Sequence, residues 1–449
     1  GKLHGTPGIC FVTRGPGATN ASAGIHVAQQ DSTPMILFIG QINSKLRHRE
    51  AFQEVDYGQY LGSMAKWVAE IDSPERITEM VSRAWSVATS GRPGPVVLVL
   101  PEDTLSGTAV STKIKPFNVL ETYPSQADLQ QMATMIESAK KPILILGGSR
   151  WCKDSVSQIE AFAEGFNLPV ACSFRRQMLF NHGHPHYAGD VGLGINPQLK
   201  STIANADLVI LMGGRFSEVP SQNYELLGVH DAKQKLIHIH ASAEELGRVY
   251  RADLAIHASP KALAQGLSES TPTAKISHQR IEHIAQCHTH YQHWSRVSDK
   301  AHPGHVQMPV IITHLAATLP LDAIITNGAG NYATWIHRFW KFAEYGTQLA
   351  PTSGSMGYGL PAAVAAKIAF PQKTVVAFAG DGCFQMTMQE FGTAVQANAA
   401  VIVLVIDNGM YGTIRMHQER HFPSRVSTTD LVNPDFCALA KAYNAFATQ

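Results

Sequence analysis

Cysteine is scarce in this 449-residue chain: there are six, Cys10, Cys152, Cys172, Cys287, Cys383 and Cys437, with no CxxC pair. That scatter argues against a disulfide framework or a zinc site, and a reducing cytoplasm is the expected location. An excess of either charge is missing too, with 36 Lys and Arg against 35 Asp and Glu. Neither nucleic acid nor an anionic membrane surface is therefore an expected partner. Long apolar runs are lacking: VIVLVI at 401–406 falls far short of the ~20 residues that cross a bilayer. No GxGxxG follows a predicted strand, so a nicotinamide site has no local support. The opening GKLHGTPGICFVTRGPG lacks a signal peptide's apolar segment. It reads like the middle of a domain, with a buried-type strand at 8–13, so the chain is expected to begin inside its first domain.

What is present is a folded-protein composition, 45% hydrophobic and 16% charged, long enough for about three domains. Three α/β blocks are expected, at 1–106, 128–267 and 306–449. The first carries apolar runs GICFV (8–12), PMILFIG (34–40) and PVVLVL (95–100); the second PILILGG (142–148), DLVILMGG (207–214) and KLIHIH (235–240); the third AIITN (323–327), TVVAFAG (374–380) and VIVLVID (401–407). Continuous apolar strands alternating with helical patterns indicate doubly wound parallel sheets covered on both faces. Polar stretches at 107–127 and 268–305 read as linkers, the second with one helix.

The chemistry concentrates at 374–414. A buried strand ends in Gly380-Asp381-Gly382, and a helix is predicted next, with Phe384, Met388, Phe391 and Val395 on one face. A second strand then ends in Asp407-Asn408-Gly409. A right-handed crossover puts both strand ends on one sheet edge, where open α/β sheets bind ligands. Asp381 and Asn408 would meet there. Both offer oxygen, which suits Mg²⁺ or Ca²⁺. Glycines beside Asp381 let backbone approach a phosphate, and the N-terminal N–H groups of the following helix would face it. A bare Gly-Asp-Gly turn is common; joined to helix, strand and Asn at this spacing it is specific.

The pattern resembles the motif of thiamine-diphosphate enzymes, and nearly the whole chain is similar to the acetolactate synthase type. The resemblance implies three doubly wound parallel-sheet domains (pyrimidine, central and pyrophosphate), the first and last truncated. It implies that Asp381, Asn408 and the Met410 carbonyl ligate Mg²⁺. Gly382, Cys383, Tyr411 and Gly412 would lie at the cofactor. SGSMGYGLPAA (353–363) is similar to the turn supporting the aminopyrimidine, with Gly354 beside it and Met356 bending the cofactor. GAGNYATW (328–335) looks like the diphosphate loop, placing Gly330, Asn331 and Tyr332 near the phosphates. TRGPGATN (13–20) resembles the pyrimidine-domain loop, where Pro16 and Asn20 would lie near the ring. Gln41 and Lys66 are candidates to face the substrate, a solvated surface role being the alternative. The family's essential glutamate lies upstream of that loop, at a position expected to precede Gly1.

The chain departs from the family in two places. Gly194 and Val219 stand where acetolactate synthases carry histidine and arginine, and HIHAS (238–242) replaces an Asp-bearing strand end. A central domain without FAD is therefore the favoured expectation, with FAD the alternative. His417 sits where the family carries a tryptophan over the second-substrate channel. The resemblance implies thiamine-diphosphate- and Mg²⁺-dependent decarboxylation of a 2-oxo acid with carboligation, by a homodimer or homotetramer. A simple 2-oxo acid or oxalyl-CoA-like decarboxylase, and a non-catalytic relative, are the alternatives.

Overall fold

Aliphatic runs bounded by Gly and Pro become strands because their branched side chains fill both faces of a pleated sheet. In the computed structural model they form three all-parallel sheets, each with helices against it. The structure describes residues 1–110, 115, 117–273, 277–298, 302 and 304–449. Parts of both expected linkers, at 111–114, 116, 274–276, 299–301 and 303, lie outside the described residues. Among the described residues no helix is long and apolar enough to cross a membrane.

The first sheet contains β1 (Gly8–Val12), β2 (Met35–Gln41), β3 (Trp67–Glu70) and β4 (Pro95–Pro101), in the order β1-β2-β4-β3. The second contains β5 (Pro142–Leu146), β6 (Val170–Ser173), β7 (Tyr187–Val191), β8 (Leu208–Met212), β9 (Lys235–His240) and β10 (Leu254–His257), in the order β10-β9-β8-β5-β6-β7. The third contains β11 (Ile324–Asn327), β12 (Gln348–Leu349), β13 (Val375–Gly380) and β14 (Ile402–Ile406), in the order β12-β11-β13-β14. The fold class is thus three parallel-sheet α/β domains.

Three details differ from the sequence reading. The run 8–12 is not buried: β1 is an edge strand paired only with β2, leaving Ile9 48% and Phe11 70% exposed. The helix expected through Phe384 and Val395 is two, Asp381–Gln385 and Glu390–Gln396. The break turns Val395 outward to 47% exposure while Phe384 stays in the core. The helix His278–Trp294, expected inside a linker, packs on the central domain instead, burying Ile284, Cys287 and Tyr291.

The blocks are tied together at one carboxylate. Asp31, buried at the end of the helix Pro16–Asp31, accepts hydrogen bonds from the Thr352 backbone (2.8 Å) and hydroxyl (2.6 Å) of the third block. Its main-chain oxygen accepts from Arg176 of the second block at 2.6 Å. Lys2 donates to Ala350 at 2.7 Å and stands 3.4 Å from Asp31. Burial, with Arg176 next in effect, pulls the Lys2 ammonium down to about 7. Arg175 donates to the Pro351 carbonyl.

Candidate active site

Register decides where the chemistry falls. β13 and β14 pair with Gly380 opposite Ile406, so Asp381 and Asp407 are the next residues on adjacent strands, at the sheet's C-terminal edge. There a cleft opens. Its lining includes Gly330, Asn331, Tyr332, Met356, Asp381, Gly382, Cys383, Asn408, Met410, Tyr411 and Gly412, together with Ala329, Gly380, Ile406, Thr413 and Ile414. Eleven of the sequence-selected residues thus share one cleft. Gly354 does not line it: with φ at +69° it shapes the turn before Met356, its N–H bonded to Pro351.

Asp381 is the cleft's carboxylate and is 3% exposed. Its Oδ1 accepts from the Gly382 N–H at 2.9 Å, and its Oδ2 from the Gly409 N–H at 2.9 Å and Asn433 Nδ2 at 2.8 Å. Such charge-assisted bonds hold a carboxylate in place. Gly409 reaches this position because its φ is +64°, a left-handed value that glycine adopts without strain. Asn408 is exposed, and its Oδ1 accepts from Met410 N–H at 3.3 Å. Gly382 is needed for space, since a Cβ there would meet the Tyr411 ring at 2.7 Å.

The opposite wall is equally fixed. Tyr332 accepts the Gly328 N–H at 2.9 Å, and burial raises its phenol well above the ordinary range. Asn331 N–H donates to the Thr413 hydroxyl, which donates back to Asn331 Oδ1, both at 3.0 Å. This stitches the loop at 328–331 to the start of the helix Gly412–His421. The Cys383 thiol donates to the Ala329 carbonyl at 2.8 Å. Met356, Ile406 and Ile414 supply apolar surface.

The first-block residues lie elsewhere in this chain. Pro16 and Asn20 are exposed on the helix that begins at Pro16. The Gln41 amide is buried, donating to Val55 O and accepting from Ile42 N–H, both at 2.9 Å. Lys66 closes the end of the helix Ile77–Thr89 through Val87 and Ser90 carbonyls at 2.6 and 2.7 Å. Sequence reasoning overlooked Thr413 and Asn433. Thr413 directly follows the Met410-Tyr411-Gly412 run, so nearness could have drawn it in; nothing local marks Asn433.

Charges from the first and central blocks gather where the central strands end. Arg92 and Arg248 bond Glu245 at 2.9 and 3.3 Å. Burial opposes ionisation of Glu245, but Arg92 and Arg215 outweigh it and hold the carboxyl below its usual range. His238 bonds Gly214 O at 2.9 Å, and burial, with His238 next, pulls His240 down to about 4.

Comparison with known proteins matches this architecture. The profile "Thiamine pyrophosphate enzyme, N-terminal TPP binding domain" covers residues 1–60, the central domain profile 129–267, and the C-terminal TPP binding domain profile 328–448. The acetolactate synthase isozyme 2 large subunit of Escherichia coli is 30% identical over 98% of this chain and 79% of its own length. Acetolactate synthase large subunits of Corynebacterium glutamicum and Lactococcus lactis are also 30% identical, covering 99% and 98% of this chain and 72% and 77% of their own. With three parallel sheets in the same order and a cleft at the edge of the third, the chain belongs to the thiamine pyrophosphate enzyme family, as an acetolactate synthase-like enzyme dependent on that cofactor.

Proposed function

We propose that this enzyme decarboxylates a 2-oxo acid and joins the remaining fragment to a second carbonyl compound, using Mg²⁺ with thiamine diphosphate. One observation carries the reading: Asp381, Asn408 and Met410 converge on one cleft with Tyr332 and Met356. A single carboxylate, an amide and a main-chain carbonyl form an all-oxygen set, which suits Mg²⁺ sharing its shell with phosphate oxygens and water. Asp381, Asn408 and the Met410 carbonyl would hold the metal. The backbone of Gly330, Asn331, Gly382, Tyr411 and Gly412 would lie along the diphosphate, and Cys383 beside it.

The cofactor, when bound, supplies the electron sink for loss of CO₂. The chain's own residues position and shield. Met356, Ile406 and Ile414 give the cleft an apolar wall that excludes water. Asp381, clamped by three donors, keeps its charge at a fixed point without reorganisation. Gly354 belongs to the turn that sets Met356. A central domain without flavin is the favoured reading, on Gly194, Val219 and the HIHAS strand end at 238–242.

Pro16, Asn20 and Gln41 would complete the cofactor pocket from a second copy of the chain, in a homodimer or homotetramer. The six free cysteines support a cytoplasmic setting. His417 stands where the resembling family carries a tryptophan, which favours one alternative, decarboxylation without carboligation; it is exposed on the helix Gly412–His421 and is not among the residues lining the cleft. Calorimetric titration with thiamine diphosphate, with and without Mg²⁺, followed by product analysis with pyruvate, tests the reading. Binding that ignores Mg²⁺ would overturn the metal assignment, and sedimentation of the loaded protein as a monomer would overturn the shared pocket.

A further inference from the structure

Asp381 and Asp407 follow paired residues of adjacent strands, so two carboxylates come together at the sheet edge, Asp381 in the cleft and Asp407 outside its lining. Left alone, like charges this close repel and swing apart. Two donors stand between them. The Gly409 N–H lies 2.9 Å from Asp381 Oδ2 and 3.0 Å from Asp407 Oδ1. Asn433 Nδ2 lies 2.8 Å from the same Asp381 oxygen and 2.7 Å from the same Asp407 oxygen. The four atoms form a closed square of alternating donors and acceptors.

The amide of Asn433 has one orientation here. The two acids can only accept, so the NH₂ group faces them, one hydrogen to each, and its Oδ1 accepts from Gln385 Nε2 at 2.8 Å. Gln385 belongs to the short helix that Asp381 opens. The stretch before Asn433 is fixed in turn by backbone bonds: Tyr411 N–H to Thr429 O and Leu431 N–H to Gly409 O, both at 2.8 Å. A segment more than 50 positions downstream of Asp381 thus delivers one side chain to its carboxylate.

We infer that Asn433 is a positioning residue for the metal-binding carboxylate: it bridges Asp381 to Asp407 and fixes the direction in which Asp381 presents its remaining lone pairs to a divalent cation. The inference rests on the metal reading above. Groups that orient a ligand from behind typically hold about 10- to 100-fold of metal affinity. Asn433→Leu keeps the side chain's size and removes both hydrogens, so the two acids lose their bridge while the backbone stitching stays.

The test uses Mn²⁺ as the probe, titrated into the whole protein with saturating thiamine diphosphate and read by electron paramagnetic resonance. Thermal unfolding of the metal-free protein is measured beside it. Asn433→Leu is expected to raise the Mn²⁺ dissociation constant about 10- to 100-fold and to change the bound-ion spectrum at saturation. Asn433→Ser, with one donor restored, recovers part of the loss. Asp381→Ala in the same titration checks the underlying reading: unchanged Mn²⁺ affinity there would remove the metal site altogether. Lost affinity in Asp381→Ala beside unchanged affinity and spectrum in Asn433→Leu would overturn the role of Asn433 alone. If Asn433→Leu does not fold, Asn433→Ala, which also removes both hydrogens, replaces it in the same titration; unchanged affinity and spectrum there would likewise overturn the role of Asn433.

Discussion

The central sheet and the outer edge of the third sheet are built from similar apolar runs and end in opposite states. Every residue of β5 and β8 is buried, and their side chains join two large clusters with the helices on both faces. In β14 no residue is fully buried, and the helices Gly412–His421 and Phe436–Ala442 contain no buried residue. Yet Asn408, Met410, Tyr411 and Gly412 stand on that thinly covered edge. The middle of the molecule carries its core and its edge the candidate site, an arrangement that leaves the cleft accessible.

That contrast can be broken or sharpened by measurement. Asp381→Ala should weaken Mg²⁺-dependent cofactor binding by more than about 100-fold, since outer-shell changes alone reach that order, and should cost about 1–3 kcal/mol in urea unfolding for the donors it leaves unpaired. Asn408→Ala should weaken it less. Calorimetry decides, and full affinity in the Asp381 variant would erase the contrast. Ile210→Ala, at a position 0% exposed, should cost about 2–5 kcal/mol in urea unfolding. Ile402→Ala on β14, 46% exposed, should cost under about 1 kcal/mol. Equal costs would mean that the edge is covered in solution.

Acid should act on the interior first. Burial pulls His182, in the central block, and His337, in the third, down to about 3 from an ordinary 6.5. Both are neutral in the folded protein and take up protons on unfolding, so their contribution is intact above about pH 6.5 and falls away from there toward pH 3. Each adds up to about 1.4 kcal/mol per pH unit to the loss. Unfolding measured at pH 7.5 and pH 5 should show His182→Gln with a shallower acid slope than the parent. Identical slopes would place the acid sensitivity elsewhere. The smallest expected effect belongs to His417→Trp, which should shift products from simple decarboxylation toward carboligation with no change in stability. Product ratios with pyruvate, alone and with added aldehydes, are the readout.

Sequence made the two regions legible to different degrees, for physical reasons. The runs PILIL and LVILM are continuous enough to declare buried strands, and Asp381 and Asn408 fell on one edge because parallel crossovers leave no other choice. Apolar content cannot tell a central strand from an edge strand, so GICFV read as buried. The helical period continues across the turn at 386–389, so one helix was expected where there are two. Short strands such as WVAE and LAIH show too little pattern to be found. Asn433 escaped because its partners are distant in sequence and NPDF reads as a turn.

The junction at Asp31 bears on protein engineering. A chimera that grafts the third block of a relative onto the first two inherits a mismatch unless the new block offers a donor pair like that of Thr352 and carbonyls like those of Ala350 and Pro351. The natural unit of exchange in this molecule is therefore the block together with the residues that receive it, and a crossover drawn only through the linkers would separate them.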